Sequence, residues 1–335
     1  MVTIASFPRV LAARPSALTG APRVRLATLP TPLQSAPRLS EALGVEVWIK
    51  RDDLTGVGLG GNKARKLEYL LGDAQSWGAD VVVTGGGPAS NHIQITATAA
   101  ARLGLGCVLV LYGDRPRPEP LNLHLARLAG AQVRFTGDLE RASVDAGIDT
   151  TVERLERSGR RPYRIGRGGA TAVGCLGYVE AAFELEEQLA GTGLAPEVVV
   201  LATGSCGTQA GLALGTALTG ASWRPYGVSV SRPVAECRER IATLARGAAN
   251  VLGVGASLAT IEVTDGIGPG YGRPSRAGQA AAALAARTEG LFLDPVFTAK
   301  ALAALMVEAK AGSLAGPVVF LHTGGAGGLG GKGQP

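Results

Sequence analysis

Short apolar runs rich in β-branched residues, Val81 to Val83, Val108 to Leu111, Val198 to Leu201, Tyr226 to Val230 and Val318 to Leu321, recur along the chain. Turn residues and longer Ala/Leu-rich stretches of helical period separate them. Strands that alternate with helices in this way build βαβ units and parallel sheets, so the pattern predicts an α/β fold. After Lys63, the apolar positions Leu67, Leu70, Leu71, Ala74 and Trp77 keep helical spacing up to Gly78. That places Lys63 near the start of a helix and Gly78 at its end. In open parallel sheets ligands bind where strands run out into loops that open helices. Four Gly-rich loops fit that description: Gly58 to Lys63, Gly85 to Asn91, Thr203 to Thr208 and His322 to Gly330.

At 335 residues, with 46% apolar and 18% charged positions, the chain can bury one large or two moderate cores, and two are expected. Disorder is expected only at the ends, including a mobile glycine-rich tail beyond Gly330. The net charge of +6 is spread over scattered Lys and Arg with no interleaved aromatics. It therefore argues for attraction of small anions and against a nucleic-acid partner. No run of about 18 apolar residues suggests a membrane span, and the Pro-broken N-terminus lacks a secretory core. Four cysteines (Cys107, Cys175, Cys206, Cys237) show neither metal-knuckle spacing nor a secreted disulfide density, so no metal site is expected and a reducing cytoplasm is.

Three of the loops suggest chemistry. A lysine at a helix start in a partly apolar pocket, as Lys63 after Gly60-Gly61-Asn62, is held away from its ammonium form and suits Schiff-base chemistry. An isolated lysine there would be an ordinary surface residue. The backbone N–H groups of Thr84 to Gln94, with Ser90 and Asn91, could receive a carboxylate, although either residue alone is more often a helix cap. In Ala202-Thr-Gly-Ser-Cys-Gly-Thr-Gln-Ala-Gly211, small residues with Ser205 and Thr208 would let a phosphate approach, while the same turn also serves packing. His92, His124 and His322 read as supporting rather than acid/base residues.

Together with DGIGPGYGRP (265–274), LDPVFTAKAL (293–302) and HTGG (322–325), the segments GGNKARKLE, SNHIQ and ATGSCGTQAG occur in one order from about Leu29 to about Gly325. In this the chain resembles the D-cysteine desulfhydrase and 1-aminocyclopropane-1-carboxylate (ACC) deaminase group of pyridoxal 5′-phosphate (PLP) enzymes. The resemblance implies the fold type II architecture, two open twisted, mostly parallel sheets with PLP in the cleft. A large domain of residues 1–65 plus 171–335 would enclose a small α/β domain of 66–170, in a homodimer acting on a small amino acid. It implies that Lys63 holds the cofactor and shuttles the Cα proton, Asn91 contacts the cofactor's 3′-oxygen and Ser90 lies beside substrate. Gly204, Ser205, Cys206, Gly207 and Thr208 would take the phosphate, with Thr323 near the pyridine nitrogen. Tyr271 would be a candidate acid/base group over the substrate, and packing is an equal reading for it.

Some positions depart from the group. ACC deaminases carry Tyr-Glu where this chain has Phe297 and Thr298, which disfavours ACC deamination. Desulfhydrases carry Arg-Gln where Gln94 and Ile95 stand, Tyr at Phe297, and commonly Gly at Cys206. The tail after Thr323 also lacks the usual Pro-Gly-Leu pattern. The expected reaction is β-elimination giving pyruvate, ammonia and a leaving group such as sulfide or sulfite. Its alternatives are β-replacement in amino-acid biosynthesis, ACC deamination, or a silent binding protein on the same fold.

Overall fold

The computed structural model describes residues 11–255 and 257–329. The first ten residues and the tail from Gly330, the stretch expected to be mobile, lie outside the described residues.

Among the described residues, ten strands form two sheets. They are β1 (Leu33–Ser35), β2 (Val47–Lys50), β3 (Val81–Gly86), β4 (Gly106–Leu111), β5 (Gln132–Phe135), β6 (Pro162–Arg164), β7 (Val198–Thr203), β8 (Arg224–Ser229), β9 (Glu262–Asp265) and β10 (Val318–Leu321). The larger sheet has the order β1-β2-β10-β7-β8-β9, parallel apart from the antiparallel β1–β2 pair. The smaller has the order β5-β4-β3-β6 and is wholly parallel. The unbroken valine runs sit where they should: β3 and β7 are covered on both faces and bury nearly every residue. The strands absent from the apolar pattern, such as β5 and β6, are short and half-exposed at sheet edges.

Among the helices, α1 (Ser16–Thr19) and α2 (Pro37–Leu43) precede the long α3 (Lys63–Ser76), with α4 (Asn91–Arg102), α5 (Leu121–Leu128) and α6 (Ser143–Arg157) around the smaller sheet. Those that follow are α7 (Ala172–Thr192), α8 (Gly207–Thr219), α9 (Val234–Leu252), α10 (Arg276–Glu289) and α11 (Thr298–Lys310). As the spacing predicts, α3 starts at Lys63, and Gly78 follows its end in a left-handed conformation. Ser90 caps α4, its Oγ accepting from the His92 N–H at 3.2 Å.

Each sheet has one point where chain order reverses. In the larger sheet, β8 and β9 lie on one side of β7 and β10 on the other. In the smaller, β4 and β5 lie on one side of β3 and β6 on the other. The loops leaving the two strands at such a point splay apart and open a crevice at the strands' carboxyl ends.

Candidate active site

The loops that leave β3, β6, β7 and β10 all face the same space. One cavity of about 510 Å³ is lined by Lys63, Ser90, Asn91, Gly204, Ser205, Cys206, Thr208 and Thr323. A second, of about 690 Å³, shares Lys63, Ser90 and Ser205 with it and reaches Tyr271. Of the residues singled out from sequence, the structure therefore brings all but Gly207 to a cavity wall. Gly207 starts α8 just behind the wall, where an added Cβ would lie 3.1 Å from Lys66 Nζ.

Lys63 Nζ donates to Asn62 Oδ1 at 2.8 Å, and Asn62 Nδ2 donates to Thr208 Oγ1 at 2.9 Å. Asn62 thus ties the lysine to the loop after β7. Burial, then the nearby Lys66 charge, pushes the Lys63 amine well below the ordinary lysine range, with Asp294 opposing. A free amine is the form that a carbonyl can capture.

The loop after β7 ends at Cys206, which has φ +72° and is the one non-glycine residue with positive φ among the described residues. A side chain in that left-handed conformation costs about 1–2 kcal/mol relative to glycine. The left-handed turn starts α8 with no side-chain cap, so its first N–H groups remain available at the positive end of the helix dipole. Beside them lies Lys66, buried, with no carboxylate partner among the described residues and only the Gly168 carbonyl within reach at 3.5 Å. Burial, with a smaller contribution from Arg240, lowers its pKa to about 8 against the opposing effects of Cys175 and Cys206. A buried, unpaired ammonium next to an uncapped helix start is a site completed by an anion. Pyridoxal phosphate, with one aldehyde and one phosphate, matches this lysine pair and helix end.

The sequence reading missed Lys66, though a signal existed: it is three residues after Lys63 and so on the same helix face. It also missed Asn62 and the arginines at the cavity wall, Arg141, Arg167, Arg232 and Arg240. Arg232 and Arg240 brace the loop after β7 by donating to the carbonyls of Gly204 (3.3 Å) and Ser205 (3.2 Å).

On the far wall, the Asn91 Oδ1 accepts from Asn122 at 2.9 Å, which fixes its amide. Tyr271 packs edge-to-face on Phe297 with centroids 6.2 Å apart. Its loop is held by Lys300 Nζ, which donates to the carbonyls of Ile267 (2.7 Å) and Gly270 (3.1 Å). Burial raises the Tyr271 pKa, and Arg141 opposes that rise. Thr298 is turned away from the cleft, its Oγ1 donating to the buried Asp294 at 2.7 Å. His92 is buried between Thr84 (2.9 Å) and Thr96 (3.4 Å), and burial drops its pKa to about 3, so it stays neutral. Among the described residues no His/Cys/Asp/Glu cluster could hold a metal ion, and no helix is long and apolar enough to cross a membrane.

A family model described as pyridoxal-phosphate dependent enzyme matches residues 24–324. Similar proteins include a putative 1-aminocyclopropane-1-carboxylate deaminase of Pyrococcus abyssi, 42% identical over 92% of this chain and 93% of its own. A D-cysteine desulfhydrase of Salmonella choleraesuis is 43% identical over 92% of this chain and 95% of its own. The solved structure of an ACC deaminase homologue superposes with a TM-score of 0.88 at 40% identity, covering 93% of this chain and 94% of that one. The processed form of threonine deaminase isoform 2 from Solanum lycopersicum, at 19% identity and a TM-score of 0.67 over 92% of this chain and 87% of that one, shares the fold.

Proposed function

The chain belongs to the family of pyridoxal-phosphate dependent enzymes, and on that premise we propose that it is a lyase catalysing β-elimination from a small amino acid, in the manner of a D-cysteine desulfhydrase. The observation that carries this reading is the convergence on one cleft of Lys63, of the helix start at Ser90–Asn91, and of the uncapped start of α8 beside Lys66. When bound, PLP supplies an electron sink that lets the Cα–H bond break and a β-substituent depart.

Lys63 is assigned to bind the cofactor covalently and then to carry the Cα proton on Nζ, a role its depressed basicity supports. Gly204, Ser205, Cys206, Gly207 and Thr208 are assigned to the phosphate, and Lys66 supplies the counter-charge. Ser90 and the first N–H groups of α4 are assigned to the substrate carboxylate. The Ser90 hydroxyl can donate while it accepts from His92. Asn91, held by Asn122, is assigned to the cofactor's 3′-oxygen, and Thr323 would be a neutral neighbour of its ring nitrogen. Tyr271 stands ready to exchange a proton with the leaving group.

Phe297 has no hydroxyl and Thr298 is committed to Asp294, which argues against ACC as substrate. The proposal includes a homodimer in the cytoplasm, supported by four buried free thiols for the compartment and by the family resemblance for the assembly. It also includes the division into 1–65 plus 171–335 and 66–170, supported by the segregation of β3 to β6 into their own sheet.

The test is an absorbance spectrum of the purified protein and of Lys63→Ala, before and after adding D- or L-cysteine, with pyruvate and sulfide assayed. A PLP band that depends on Lys63, with both products from the wild type, supports the lyase. The same band with a substituted alanine in place of pyruvate would identify β-replacement. Absence of a Lys63-dependent band would defeat the cofactor assignment.

A further inference from the structure

Among the described residues, the cleft on the Tyr271 side of Lys63 is lined by four arginines and no carboxylate. Three of these arginines are engaged. Arg167 forks onto Asp145 at 3.0 and 2.6 Å. Arg232 reaches both Glu236 and the Gly204 carbonyl. Arg240 donates to the Ser205 carbonyl. Arg141 is different. Its guanidinium carbon lies 4.3 Å from the centroid of the Tyr271 ring, and no carboxylate among the described residues pairs with it. Stacking occupies the face of a guanidinium and leaves its in-plane N–H donors free. Such a planar fork is matched by a group offering two oxygens.

The other two anionic groups expected in the cleft already have binding sites. The cofactor phosphate falls to the start of α8 and Lys66, and the substrate carboxylate to Ser90 and the start of α4. Tyr271, which carries Arg141 on its face, is the residue assigned above to the departing group. Building on the lyase reading above, we infer that Arg141 binds an oxyanion on the β-substituent, so that the preferred substrate is an alanine bearing a sulfonate or phosphate group at Cβ. With 3-sulfoalanine, the Cα–H and Cβ–S bonds break and sulfur leaves with the Cβ–S electron pair as sulfite. Water then converts the resulting enamine to pyruvate and ammonia. With O-phosphoserine the Cβ–O bond breaks instead, and phosphate is released. A neutral β-substituent leaves the half-buried guanidinium without an anion, and that difference is the source of selectivity.

The experiment compares kcat/KM of the holoenzyme for 3-sulfoalanine, O-phosphoserine and the neutral β-chloroalanine, each as both enantiomers, with pyruvate, sulfite and phosphate measured. The wild type is expected to favour at least one of the anionic substrates over β-chloroalanine. Arg141→Met is expected to lower that preference by about 30-fold, mainly through KM, as when a desolvated charge pair loses one partner. Arg141→Lys, which keeps the charge but loses the fork, should retain the larger part of it. Sulfite or phosphate release tells which oxyanion is read. A wild type that converts β-chloroalanine but neither anionic substrate overturns the inference while leaving the lyase standing, as does a preference unchanged in Arg141→Met. If no substrate yields pyruvate, the lyase reading fails, and this inference with it.

Discussion

Replacing Arg65 by Met should destabilise the protein by about 3–5 kcal/mol, because it breaks a buried charge network on which α3, and with it Lys63, is seated. Arg65 donates five hydrogen bonds of 2.8–2.9 Å: two to Asp52, two to Glu184 and one to Thr31. Lys50 pairs with Glu184 and donates to the Thr31 carbonyl at 2.7 Å, and the Tyr178 hydroxyl donates to Asp52 at 2.5 Å. All four charged members are buried and their charges cancel. Without Arg65, two carboxylates share one ammonium in a site closed to water. For a domain of this size that loss corresponds to a melting point lower by roughly 6–10 °C.

The pH dependence follows from the same contacts. Burial alone would raise the carboxyl pKa values, but Arg65 leads the opposing groups and both Asp52 and Glu184 end below the ordinary carboxylate range. Their folded values lie below their unfolded ones, so the stability they contribute is present above the unfolded values and is lost as pH falls through the folded ones. Removing Arg65 raises the folded values, and acid unfolding should begin at higher pH in Arg65→Met. Urea unfolding followed by circular dichroism between pH 4 and 8 measures both effects. Arg65→Met combined with Asp52→Asn leaves a neutral Lys50–Glu184 pair. It should be more stable than the sum of the single changes by at least about 1 kcal/mol. A cost below about 1 kcal/mol for Arg65→Met, or strict additivity in the double variant, would refute this account of the network.

Lys66 gives a pH-dependent binding prediction. Before a phosphate binds, its proton is lost near pH 8, whereas a bound phosphate dianion retains it. The affinity for pyridoxine 5′-phosphate, measured by titration calorimetry, should be level below that pH and fall by up to about tenfold per pH unit above it. Lys66→Met should weaken binding and abolish the slope. Gly324 has φ +88°, and an added Cβ would lie 2.5 Å from Gly61 Cα in the loop before Lys63. Gly324→Ala should therefore cost about 2–4 kcal/mol and diminish the Lys63-dependent absorbance band. Gly312→Ala, with φ +68° and open space around it, should cost only about 1 kcal/mol and leave the band intact.

The residues themselves determined what depends on near neighbours. Valine runs gave the central strands β3 and β7, since a strand buried on both faces needs apolar residues without alternation. The helical spacing after Lys63 located α3, and the small residues of Ala202 to Gly211 marked the turn into α8. Edge strands such as β5 escaped notice because half-exposed short strands carry no distinct pattern. Only the tertiary structure decided the rest. The reversal of strand order at β7 and β3 is what turns four separate loops into the walls of one cleft. Lys50, Asp52, Arg65 and Glu184 form one network although 134 residues separate its ends, and Arg141 comes to lie on Tyr271 from an element 130 residues away. Periodicity reports which face of an element is apolar. It holds no information on which distant charges that face will meet, and so Arg141 became a candidate for anion binding only once the chain was folded. The spacing of Lys66 from Lys63 gave its helix face, and only the fold its burial without a carboxylate partner among the described residues.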